Sequence, residues 1–102
     1  MIAQTTIDTI IKTIVEHVHP QKIILYGSYV YGHPTEDSDL DILIIAKRDL
    51  PRYKRAREIH RLFNPTPCPM DILVYTPQEV ARFSGHPSAF IHKKKKKGDL
   101  VY

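Results

Sequence analysis

Asp39 and Asp41 stand two residues apart at the head of an apolar run, Asp39-Leu-Asp-Ile-Leu-Ile-Ile45, and a third carboxylate, Asp71, opens a second run that ends at Tyr75. Side chains two apart on a strand project to the same face, so Asp39 and Asp41 are expected to point together. Carboxylates held side by side repel, and one is driven to protonate unless a cation intervenes. A hard cation such as Mg²⁺ relieves that conflict, because it takes oxygen ligands and keeps positions for phosphate oxygens. If the two runs are neighbouring strands, Asp71 reaches the same place. Three carboxylates around two ions about 3.5–4 Å apart make the clamp that serves in-line displacement at phosphorus. One ion would carry a triphosphate and the other would activate an attacking hydroxyl. Asp71 is then suited to bridge the second ion or to accept the hydroxyl proton.

Gly27-Ser28 supplies the other half of such a site, following the apolar run Lys22-Ile-Ile-Leu-Tyr26. A glycine that ends a strand lets the backbone approach a ligand closely. A helix start just beyond it would offer amide groups to phosphate, and Ser28 adds a hydroxyl donor. Gly-Ser alone means little. After a strand, and followed by Asp-x-Asp on the next strand and a third strand-borne Asp, it gains force.

The elements that must position these residues follow from periodicity. Ile7, Ile10, Ile11, Ile14, Val15 and Val18 form one apolar stripe at helical spacing, with Thr5 or Thr6 as cap and His19-Pro20 as stop. Lys22–Tyr26, Asp39–Ile45 and Met70–Tyr75 read as buried strands, the second placed centrally because it is apolar on both faces. Ser28 to Tyr31 is expected to form a short helical turn. Pro51 opens a helix that runs to about Phe63, with Ile59, Leu62 and Phe63 turned to the core. Asn64 to Pro69, with three prolines, is stiff and extended. Thr76-Pro77 starts a helix through about Phe83, and Ser88 caps a last one ending at Gly98. Strands alternating with helices imply an α/β fold, a small three-stranded mixed sheet with flanking helices.

With 102 residues the expectation is one domain, residues 1–102, of modest stability that association with itself or a partner would raise. The net charge of +4 owes much to one run, Lys93 to Lys97, without which the chain is about neutral. That run reads first as a solvated helix end, where lysines complement the dipole. Arg52, Lys54, Arg55, Arg57 and Arg61 make a second basic helix that could face acceptor RNA or protein. One cysteine, Cys68, allows no internal disulfide. The six histidines are scattered and compose no zinc set. The longest apolar run, Ile42 to Ala46, is far short of the ~20 residues of a membrane helix, and cytoplasmic residence is the expectation.

Gly27-Ser28, ten residues, then Asp39-x-Asp41 resembles the signature of the DNA polymerase beta-like nucleotidyltransferase superfamily. With Met70-Asp71-Ile-Leu-Val and the terminal Gly98-Asp-Leu-Val-Tyr102, nearly the whole chain resembles the minimal nucleotidyltransferases. The resemblance implies a DNA polymerase beta-like nucleotidyltransferase fold that uses ATP and Mg²⁺. It implies that Gly27 and Ser28 bind the triphosphate and that Asp39, Asp41 and Asp71 hold metal. Its members are commonly antitoxins that place AMP on a tyrosine of a partner HEPN ribonuclease toxin. Tyr31 stands where such proteins often carry arginine, and the five-lysine run replaces a mixed apolar and basic helix. Two other readings stay open: neutralisation of such a partner by contact alone, and nucleotidyl transfer to RNA.

Overall fold

The computed structural model describes residues 2–26, 39–83 and 99–102. Helix α1 spans Gln4–Val18 and buries Ile7, Ile10, Ile14 and Val18, four positions of the apolar stripe. Its N-cap is Ala3 rather than either threonine, and no side chain caps it; the N–H groups of Thr6 and Ile7 donate to the Ala3 carbonyl instead. The hydroxyls of Thr9 and Thr13 donate back to the carbonyls of Thr5 and Thr9. The helix stops where expected. His19 turns left-handed (φ 53°) while its N–H still donates to the Val15 carbonyl, and Pro20 cannot continue the ladder.

The three expected strands form: β1 (Lys22–Tyr26), β2 (Leu40–Ile45) and β3 (Met70–Tyr75). β1 runs antiparallel to β2, and β2 runs parallel to β3. A fourth, two-residue strand, β4 (Asp99–Leu100), pairs antiparallel with the outer side of β1, so the mixed sheet has the order β3-β2-β1-β4. The sequence signal for β4 is too short to read as a strand; it exists because β1 offers it an edge. Its neighbour Val101 extends the link, donating its N–H to the Ile23 carbonyl.

The parallel pair β2–β3 requires a crossover, and helix α2 (Arg52–His60) supplies it. Pro51 is its cap rather than its first turn, and the helix ends three residues before Phe63, with Leu62 and Phe63 in the following turn. Helix α3 (Pro77–Phe83) follows β3 directly. Thr76 and Glu79 form a reciprocal capping box: the Glu79 carboxylate accepts from the Thr76 N–H, and the Thr76 hydroxyl accepts from the Glu79 N–H.

Alternation along the strands sorts the core onto two faces. On one face Ile23, Leu25, Leu40, Ile42, Ile44, Ile72 and Val74 pack with α1 and with Ile59 of α2. On the other, Ile24, Tyr26, Leu43, Ile45 and Tyr75 pack with Val80 of α3. Leu40, Ile42, Leu43 and Ile44 are wholly buried, each worth about 2–3 kcal/mol in transfer terms, which makes β2 the axis of the fold. Among the described residues no helix is long and apolar enough to cross a membrane. The expected turn at Ser28–Tyr31 and the expected helix from Ser88 to Gly98 lie outside the described residues.

Candidate active site

The register of the sheet assembles the site. Asp41 on β2 is directly opposite Asp71 on β3 and, on the other side, opposite Tyr26 on β1. Neighbouring strands are about 4.8 Å apart, and residues in register present their side chains on one face. Tyr26, Asp41 and Asp71 therefore form a row across three strands. It lies at the end where β2 and β3 begin and β1 ends, on the face away from α1. Strand alternation explains why the row is polar where it opens and apolar behind: Asp41, Leu43 and Ile45 share one face, as do Asp71, Leu73 and Tyr75. Asp41 is half-buried and Asp71 exposed, so the pair faces outward from an apolar bed.

Asp39 lies one residue ahead of β2 and is exposed. The strand mouth is tied down beside it, since the Leu40 N–H donates to the Pro69 carbonyl at 2.9 Å. The structure thus brings Asp41 and Asp71 side by side, with Asp39 at the lip of the same strand end. Among the described residues, no group of three His, Cys, Asp or Glu side chains is placed so that it could hold a metal ion. Gly27 and Ser28 lie outside the described residues, but the chain that leads into them departs from Tyr26, inside the row.

Tyr26 is the member that periodicity alone did not reveal. Burial pushes its phenol well above the usual tyrosine range, and the carboxylates of Asp71 and then Asp41 push it further, with Tyr75 adding a smaller share. A neutral phenol thus ends the row beside two carboxylates. Such a donor set, all oxygen and exposed on the outer side, fits a hard divalent cation that completes its shell with water and phosphate.

The second missed feature is Arg55. Its guanidinium is buried, pairing with Glu79 at 2.6 Å and donating to the carbonyls of Leu50 and Val74. It therefore does not belong to an outward basic face, whereas Lys54, Arg57 and Arg61 remain exposed. The Thr76-x-x-Glu79 spacing signals a helix start, but nothing in it shows that Glu79 pairs with Arg55. A separate cleft of about 440 Å³ lies between α1 and the proline-rich loop, lined by Thr5, Thr9, Thr13, Phe63, Pro65 and Pro67 among others, with no carboxylate among the described residues that line it.

Comparison with known proteins agrees with this geometry. A protein of Methanocaldococcus jannaschii named "putative protein adenylyltransferase" is 36% identical over 53 residues, covering 52% of this chain and 52% of that protein. The chain thus matches about half the length of that relative. The family model for the nucleotidyltransferase domain matches residues 7–97, which takes in all three aspartates and the Gly27-Ser28 motif. With its mixed sheet and flanking helices, the chain belongs to the nucleotidyltransferase domain family.

Proposed function

We propose that this protein is a Mg²⁺-dependent adenylyltransferase that moves AMP from ATP onto a hydroxyl of a partner protein. The observation that carries the reading is the in-register pair Asp41–Asp71 on adjacent parallel strands. Asp41 and Asp71, with Asp39 at the lip, are the residues that would hold the metal, and a bound divalent cation would neutralise phosphate charge there. Gly27 and Ser28, just after Tyr26, are assigned to the triphosphate. The acceptor oxygen attacks the α-phosphorus and forms the new O–P bond. The bond from that phosphorus to the bridging oxygen breaks, and pyrophosphate leaves with the electron pair. Asp71, exposed at the outer end of the row, takes the hydroxyl proton. Tyr26, beside Asp41 in the row, stays neutral and adds no negative charge to the site.

The adenylyltransferase name of the archaeal relative supports AMP as the group transferred and protein as the acceptor. The resemblance to minimal nucleotidyltransferases supports a HEPN-type toxin tyrosine as that acceptor, which would make this chain the antitoxin of a pair acting in the cytoplasm. An RNA acceptor is less favoured. The exposed cations Lys54, Arg57 and Arg61 lie on α2, whose Ile59 packs into the face opposite the carboxylates.

The test is intact mass spectrometry of a HEPN-type partner after incubation with this protein, ATP and Mg²⁺. A gain of one or more AMP units that disappears with Asp41→Asn is the expected result. A stable complex without any gain would instead mean neutralisation by contact, and labelled RNA without labelled protein would move the acceptor class.

A further inference from the structure

Among the described residues β3 is an edge strand, and it carries Asp71, the last member of the carboxylate row. Its ladder with β2 uses alternate residues: the Leu40 N–H takes the Pro69 carbonyl and the Ala46 N–H takes the Tyr75 carbonyl. By that alternation Asp71 and Leu73 turn their backbone groups toward β2, and Met70, Ile72 and Val74 turn theirs outward. Among the described residues only Arg55 reaches this edge, donating to the Val74 carbonyl at 3.3 Å. Among the described residues nothing bonds the N–H and C=O groups of Met70 and Ile72, leaving a short template beside Asp71 that is narrow at Ile72, itself only 4% exposed. A groove of about 560 Å³ follows the same edge, lined by Tyr53, Ala56, Ile72, Leu73, Val74 and Glu79. Three consecutive residues of one strand in one lining mean that the groove runs along the edge itself. Tyr53, 70% exposed, stands at its wall as an aromatic anchor.

Resting on the transfer reading above, we propose that the acceptor docks as an extended polypeptide segment that adds a strand to the open edge of β3. The geometry specifies what that segment carries. A residue opposite Asp71 would present its side chain on the carboxylate face, with Cβ about 4.5–5.5 Å away, just as Asp71 is presented to Asp41. The row Tyr26–Asp41–Asp71 thereby gains a fourth member, and a tyrosine, serine or threonine there sets its hydroxyl beside the proposed proton acceptor. The brevity of the edge selects the occupant. Two residues of free template, closed at one end by Arg55, suit a substrate that must leave after each turnover. A two-residue edge buries far less than the roughly 1,200 Å² that a lasting edge-to-edge dimer of this chain would need.

The probe is a decapeptide alternating valine and glutamine with one central tyrosine, offered with Mg²⁺ and labelled ATP. Two further versions carry N-methyl groups at alternate residues, one in each phase. Strand addition predicts that methylation in one phase lowers labelling at least tenfold and in the other leaves it, and that bound peptide protects the Met70 and Ile72 amides from exchange. Met70→Pro removes an outward N–H at the first position of a strand, where proline is accepted, and Met70→Ala keeps it. The proline variant is expected to lose tenfold or more in labelling while binding Mg²⁺–ATP as wild type does, and the alanine variant is not. Equal labelling of both methylated peptides, or of both variants, overturns the docking mode. So does Mg²⁺–ATP binding with neither peptide labelling nor amide protection. A concentration-dependent dimer abolished by Met70→Pro would give the edge to a second copy and likewise refute it. Failure of the wild type to bind Mg²⁺–ATP sinks the transfer reading itself, and this proposal with it.

Discussion

Replacing Arg55 by methionine removes the one buried charged side chain among the described residues while keeping most of its length and its apolar stem. The guanidinium holds three groups at once: the Glu79 carboxylate at 2.6 Å, the Leu50 carbonyl at 2.8 Å and the Val74 carbonyl at 3.3 Å. It thereby ties the loop before α2, the edge of β3 and the start of α3 into one knot. Removing one partner of a buried pair costs about 3–5 kcal/mol, because the other charge is left behind in a poor solvent. Glu79 softens that cost, since its side chain is 21% exposed and still accepts from the Thr76 N–H. The low end, about 3 kcal/mol, is therefore expected. With a urea dependence of roughly 1.5 kcal/mol per molar, the unfolding midpoint falls by about 2 M. The chain has no tryptophan, so circular dichroism is the natural probe. Glu79→Gln should cost less alone, and the double variant should lose at least about 1.5 kcal/mol less than the sum of the two. A midpoint shift under about 0.5 M, or full additivity, would show that the knot does not hold the fold.

Three other outcomes are expected. Asp71→Asn should slow AMP transfer by about 10²–10⁴-fold yet leave the urea midpoint within about 0.5 M, because the side chain is exposed; unchanged turnover would remove Asp71 from the chemistry. The raised Tyr26 phenol stays protonated in the native state above the pH at which the unfolded chain's tyrosines ionise. The unfolded state then binds fewer protons, so stability falls as pH rises past ~10, at up to about 1.4 kcal/mol per pH unit from this group. Urea unfolding at pH 9 to 11 should show a shallower decline in Tyr26→Phe, and equal slopes would refute the assignment. Burial raises the Cys68 thiol, so its alkylation at pH 7.5 should be slower than that of a free thiol and speed up in urea; an equal rate in both would contradict that environment.

The strands were legible because their signal is local. Ile42 to Ala46 is apolar at every position, and every one of those residues is buried. The stripe of α1 and the stop at His19-Pro20 were equally plain, since a 3.6-residue period and a proline act within a turn or two. Less was visible at helix starts. Two threonines compete for the α1 cap on propensity alone, and the structure caps the helix two or three residues earlier, at Ala3. Arg55 was misread for a related reason. In Arg-Tyr-Lys-Arg-Ala-Arg-Glu it looks like one cation among several, and nothing nearby announces a carboxylate 24 residues later.

By itself, then, the sequence determined which segments are strands and helices, and which carboxylates stand where a strand begins. Those are properties of one segment at a time, set by side-chain periodicity and backbone restriction. Tertiary structure decided what lies beside what: that β2 and β3 run parallel with Asp41 opposite Asp71, that Tyr26 flanks Asp41 on the other side, and that β3 is the edge strand among the described residues. No local pattern encodes those pairings. Thirteen residues separate β1 from β2, and a helix with its loops separates β2 from β3. Register across such gaps is chosen by burying the apolar faces of all the strands at once.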